Sequence, residues 1–162
     1  MDQLDRQLGH DQWTTNRLLA LCRDLTDEQL DQEFDIGHRT LRATFDHMFF
    51  AVELWTMLMS GGERYEIARH RGSVQELRDR HDRVYGEIAK LARRLHDAGR
   101  LDETFIDHHN YPQEVGATIL QVSMHNQQHR SDVLHILQRL GVPNLPDGDV
   151  QEWQHAAIQE HA

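Results

Sequence analysis

The sequence predicts an all-α chain, a four-helix bundle with short additional helices. Three observations carry this prediction. All three prolines, Pro112, Pro143 and Pro146, fall after residue 110, so a long stretch is free of the residue that breaks helices. Apolar residues recur at steps of three and four over four long segments. Glycines at Gly37, Gly61, Gly62, Gly72, Gly99 and Gly141 stand between segments, where helices end.

The first segment spaces its apolar residues as Leu4, Leu8, Leu18, Leu21 and Leu25. A short helix is expected after Thr26, because Thr26-Asp-Glu-Gln29 is a capping box. The second long helix reads Leu41, Phe45, Met48, Val52, Trp55 and Met59, a stripe suited to bundle packing. The third opens on a second capping box, Ser73-Val-Gln-Glu76, and continues through Leu77, Val84, Ile88, Leu91 and Leu95. Leu101 to His109 can be extended, though no period-2 strand pattern competes with the helices. The fourth helix is expected from Val115 to Leu140, stopping at Gly141-Val-Pro143, and a last short one over Asp149 to Ile158. Neither a repeat nor a linker divides the chain, so residues 1–162 are read as a single domain, with crossover connections allowed between the long helices.

Composition narrows the function. The net charge is -10, which repels phosphate backbones and anionic lipid, so neither nucleic acid nor a membrane is expected as a partner. One cysteine, Cys22, and an N-terminal segment without an apolar run fit a cytoplasmic protein. The unusual count is thirteen histidines, whose full protonation would carry the charge from -10 to +3.

Histidine is also where the chemistry concentrates. In the fourth helix His125 and His129 interrupt an otherwise apolar inward face, four residues apart, the spacing with which two imidazoles converge on one metal ion. Among thirteen histidines such a pair arises easily by chance. His47 adds weight, because it lies in the most apolar stretch, Phe45-Asp-His-Met-Phe-Phe, and shares a face with Ala51, Leu54 and Leu58. Three imidazoles with an open position describe a catalytic rather than a structural site, and zinc, nickel and ferrous iron all accept them. No His-Glu-x-x-His is present, and Glu152-Trp-Gln-His155 is a single Glu-x-x-His, which sets aside zincin proteases and di-iron bundles.

These segments resemble the DinB-like (DinB/YfiT-like) metalloenzyme superfamily from about residue 4 to 153. The resemblance runs through His10-Asp-Gln-Trp13-Thr-Thr-Asn16-Arg-Leu-Leu, Leu41-Arg-Ala-Thr-Phe-Asp-His47-Met, Met124-His125-Asn-Gln-Gln128-His129-Arg130 and Leu137-Gln-Arg-Leu-Gly141. It implies metal ligands at His47, His125 and His129, a zinc or nickel ion, a homodimer, and for some members transferase or isomerase chemistry on low-molecular-weight thiols such as bacillithiol or mycothiol. The sequence departs at Gln128, where an extra histidine is frequent, and at Ser131-Asp132, where Gly-Gln is usual.

The resulting expectation is a mononuclear metalloenzyme in which the metal activates water or a substrate thiolate. Its alternatives are a metal-dependent hydrolase, a non-catalytic metal-binding stress-associated dimer, and a histidine pH switch. Asp132, three residues from His129, is a candidate to orient a ligand imidazole or hold a substrate amine. Asp46 is expected to be solvated and Arg130 to make a surface or interface ion pair. His10 and Trp13 are candidates for a cavity mouth or for plain packing. His108, His109, Tyr111 and Glu114 are expected on a loop surface. His38, His70, His81, His96, His135, His155 and His161 are expected to be exposed or at a rim.

Overall fold

In the computed structural model, which describes residues 1–69 and 72–160, four long helices form the bundle. They are α1 (Gln3–Leu21), α3 (Leu41–Ser60), α4 (Val74–Asp97) and α5 (Val115–Arg139), with the short α2 (Asp27–Leu30) and the C-terminal α6 (Val150–Glu160). Both sequence-predicted capping boxes form: Thr26 and Gln29 satisfy each other's backbone at α2, and Ser73 and Glu76 do so at α4. Asp2 and Asp5 make a third at α1. Each such cap contributes on the order of 1 kcal/mol by pairing backbone donors that the helix leaves open. Gly61, with φ 69°, closes α3 in the left-handed conformation that glycine adopts without strain.

α1 and α3 each pack against both α4 and α5 and so lie diagonally across the bundle. Two connections therefore cross it, α1 to α3 through α2, and α4 to α5. The second contains a small antiparallel pair, β1 (Thr104–Ile106) and β2 (Pro112–Glu114), registered through Phe105 and Gln113. β1 falls inside the stretch expected to be extended; the pair is too short for hydrophobic alternation to announce it.

The core joins Leu18, Leu19, Leu41, Phe45, Phe49, Ile88, Ile136 and Leu137, all essentially without solvent contact. One arginine ties the first crossover to it. Arg42, buried at the start of α3, donates from Nε to Asp31 at 2.9 Å, from one terminal nitrogen to Asp27 at 2.6 Å, and from the other to the Gly72 carbonyl. A second arginine fixes α4 against α3. Arg80 bonds Asp46 at 2.6 Å and Glu53 at 3.2 Å, two carboxylates seven residues apart on α3. Among the described residues no helix is long and apolar enough to cross a membrane.

Candidate metal centre

The α3–α5 seam brings together the three histidines singled out by spacing. His125 is the hinge of the group: its Nε2 lies 3.0 Å from His47 Nε2 and 3.2 Å from His129 Nε2. Two nitrogens bound tetrahedrally at zinc–imidazole distances stand about 3.3 Å apart. Both observed spacings, each made through His125, are within a few tenths of an ångström of that value.

Asp132 completes the α5 side. Its Oδ2 is 3.0 Å from Nδ1 of His129, three residues before it on the same helix face. A carboxylate only accepts, so Nδ1 carries the hydrogen between them, which leaves Nε2 on the side of His125. This is the carboxylate that the sequence offered as a candidate to orient a ligand imidazole or to hold a substrate amine.

Electrostatics favours neutral rings. Burial, followed by the charges of His38, His125 and His129, pushes His47 down to about 3. Burial and then the His129 charge lower both His125 and His38. Neutral imidazole is the metal-binding form, and His38, His47 and His125 are each biased toward it.

The fourth member, His38, was expected at the surface or a rim. It is half-buried in the turn before α3, stacked on His47 with ring centroids 3.8 Å apart and an interplanar angle of 29°. Its centroid is 5.0 Å from that of His129, and His38, His47 and His129 each place a ring nitrogen within 4.8 Å of the others. A turn residue carries no periodicity, so no stripe could point to it; the available signal was its position between Gly37 and the Thr40 that caps α3. The backbone on either side is left-handed, φ 45° at Gly37 and 74° at Arg39. At Arg39 that conformation is strained by roughly 1 kcal/mol or more. Gly37 backs directly onto the Asp132 carboxylate, where a Cβ would collide.

His38 also lines a cleft of about 460 Å³. Its walls carry opposite charges in pairs: Arg39 with Glu33 at 2.6 Å, Arg42 with Asp31 at 2.9 Å, and Arg69 with Asp46 at 2.9 Å. Such a surface suits a small polar ligand carrying charge.

Three other readings are corrected. Asp46 is buried and bonded to Arg80 and Arg69 rather than solvated, because the face of α3 turned away from His47 packs on α4. Arg130 is 2% exposed and pairs with Asp11 inside the bundle, since α1 covers the far side of α5. His81 has no exposure; it lies against Phe49 and Tyr85 where α4 meets the core. Asn126, next to His125 in sequence, points into the same interior and donates to Asp11 at 2.9 Å and Tyr85 at 2.5 Å. Sequence reasoning passed over this Asp11–Asn126–Tyr85–Arg130 network.

The remaining candidates lie away from the histidine cluster. His10 contacts the Gly148 carbonyl at 3.1 Å and the Trp153 edge, and Trp13 is half-buried beneath Arg17. His108, His109 and Tyr111 are exposed on the loop and Glu114 at the end of β2, as are His96, His135 and His155 on their helices. His70 and His161 lie outside the described residues.

Among curated proteins none matches this chain. A crystal structure of a DinB-like protein from Bacillus cereus ATCC 10987 superposes with a TM-score of 0.64 at 20% identity, covering 85% of this chain and 91% of that one. That likeness establishes the shared fold. The family profile of the DinB superfamily matches residues 10–133, a span that holds His38, His47, His125, His129 and Asp132. The chain belongs to the DinB superfamily.

Proposed function

We propose that this protein is a mononuclear metalloenzyme whose divalent ion, zinc or nickel, is held by His47, His125 and His129. The observation that carries the reading is the convergence of three Nε2 atoms from two helices at 3.0 and 3.2 Å. All-imidazole donors suit zinc and nickel, and also ferrous iron. When bound, the ion would supply a positive charge that lowers the pKa of a nucleophile brought to it, water or a substrate thiolate.

The chain's own residues would do the rest. Asp132 would orient His129, burial disfavours protonation of His47 and His125, and the cleft beside His38, with its paired arginines and carboxylates, would admit a small polar molecule. Transfer of a low-molecular-weight thiol to an electrophile is the preferred reaction, supported by what the family resemblance implies. Hydrolysis by water at the same position is the alternative.

The test begins with metal analysis of untagged protein, as isolated and after reconstitution with zinc or nickel. Stoichiometric uptake that is lost in His125→Ala is the expected result. Wild-type protein that takes up no transition metal would overturn the proposal. Assay of the loaded protein with a thiol and an electrophile, against ester and amide substrates, then separates transfer from hydrolysis.

A further inference from the structure

We propose that His38 is a fourth, loop-borne donor to this centre, occupying the position that the three helix histidines leave exchangeable until an incoming ligand displaces it. The inference rests on the metal-site reading above and adds to it a resting state and an entrance.

Four observations converge on His38. Its ring lies on His47 at 3.8 Å and faces His129 at 5.0 Å, so it stands against the donor cluster on a side where neither α3 nor α5 supplies a ligand. One of its ring nitrogens is within 4.8 Å of donor nitrogens of both His47 and His129, close enough for a change of side-chain rotamer or a small loop shift to bring it onto a shared ion. The turn that presents it is conformationally specified: φ is 45° at Gly37 and 74° at Arg39, and Gly37 is seated on the carboxylate that orients His129. Strain retained in a turn beside a cluster of ligating groups marks a residue held for a purpose. Finally, His38 belongs to the wall of the 460 Å³ cleft as well as to the cluster. A ligand seated in that cleft meets His38 before it meets the other three rings.

Helix-borne and loop-borne donors differ in what they cost to move. His47, His125 and His129 are fixed by continuous backbone hydrogen bonds along α3 and α5, whereas His38 rides on a turn held by isolated bonds, from the Phe34 N–H to the Arg39 carbonyl, the Arg39 N–H to the Ile36 carbonyl and the Thr40 N–H to the His38 carbonyl. Displacement would therefore release His38 and leave the helical trio in place. The ligand class that fits is a small anionic donor, because a divalent ion held by neutral imidazoles keeps its full positive charge, while the cleft's arginines are already matched by Glu33, Asp31 and Asp46.

Cobalt(II) reports this directly, through its visible spectrum, without any assay of turnover. Chelator-stripped protein is loaded with cobalt(II), its affinity is measured by competition with a chromophoric chelator, and azide serves as the anionic probe. His38→Ala is expected to weaken cobalt(II) binding by about 10- to 100-fold, at least the loss seen when a ligand's supporting partner is removed. It is expected to bind azide more tightly than wild type, because nothing has to be displaced. Added imidazole should restore the wild-type spectrum in His38→Ala. His38→Gln, checked for helical content beside the alanine variant, guards against a folding defect. A His38→Ala protein that is folded and matches wild type in cobalt(II) affinity, spectrum and azide affinity would overturn the inference while leaving the three-histidine centre standing. Failure of the wild-type protein to bind cobalt(II) would instead remove both.

Discussion

Asp132 Oδ2 lies 3.0 Å from Nδ1 of His129, one helical turn along α5, and this contact decides which nitrogen of His129 faces His125. Removing the charge while keeping the shape should weaken the hold on the ring. Asp132→Asn is expected to lower metal affinity about 10- to 100-fold with little change in helical content, read by chelator competition and circular dichroism. An unchanged affinity would show that His129 is oriented by packing alone.

The Arg130–Asp11 pair, each side chain 2% exposed, joins α5 to α1 on the side of α5 turned away from Gly37 and His38. Deleting one partner strands the other's charge in the interior. Arg130→Met is expected to cost about 3–5 kcal/mol in urea denaturation. The double variant Arg130→Met with Asp11→Leu should recover much of that loss, since apolar replacements need no compensating charge.

Cys22 has no solvent exposure, and burial pushes its thiol up to about 12 from an ordinary 9.0. The thiolate is the reactive form, so native protein should resist disulfide-exchange reagents at pH 8 and react promptly once unfolded. The same shift links to stability. The folded state retains a proton that the unfolded chain releases above pH 9.0, so this contribution is intact below that pH and is lost as pH rises toward 12.

His81 is fully buried, and burial is the main cause that lowers its pKa from 6.5, opposed by Asp82 and Asp11 and assisted by Arg130. The unfolded chain takes up the proton first as the medium is acidified. Its stabilising effect is thus present above pH 6.5 and is lost as pH falls below it. Phe49 and Tyr85 flank the ring, so His81→Phe should pack in its place and flatten the fall in melting temperature between pH 7 and pH 5 in chelator-treated protein. An identical slope in wild type and variant would assign acid sensitivity to other groups.

What the sequence disclosed follows from where periodicity operates. His47, His125 and His129 sit on long helices whose stripes point inward, and their convergence could be anticipated from steps of four residues and the company of Ala51 or Val133. The α2 and α4 starts were legible in their capping boxes because those signals are local. His38 was not legible, since a turn has no face. Asp46, Arg130 and His81 were misplaced for a different reason. A helix between two neighbours buries more than one stripe, and a charged side chain on the second stripe reads as surface until its partner on another helix is known. Arg80 for Asp46 and Asp11 for Arg130 are such partners, each more than 30 residues distant along the chain.

The bridge from Arg80 to Asp46 and Glu53 has a bearing on the histidine cluster on the other side of α3. Both carboxylates ride on one helix at a spacing of two turns, so a single arginine spanning them works as a gauge block for how far α3 has advanced along α4. A slip of one turn would break both contacts and would raise or lower His47 by about 5.4 Å against α5. The aperture of the histidine cluster is in that sense calibrated from outside it. Drift in Asp46, Glu53 or Arg80 would shift His47 against His125 in a protein whose histidines had not changed at all.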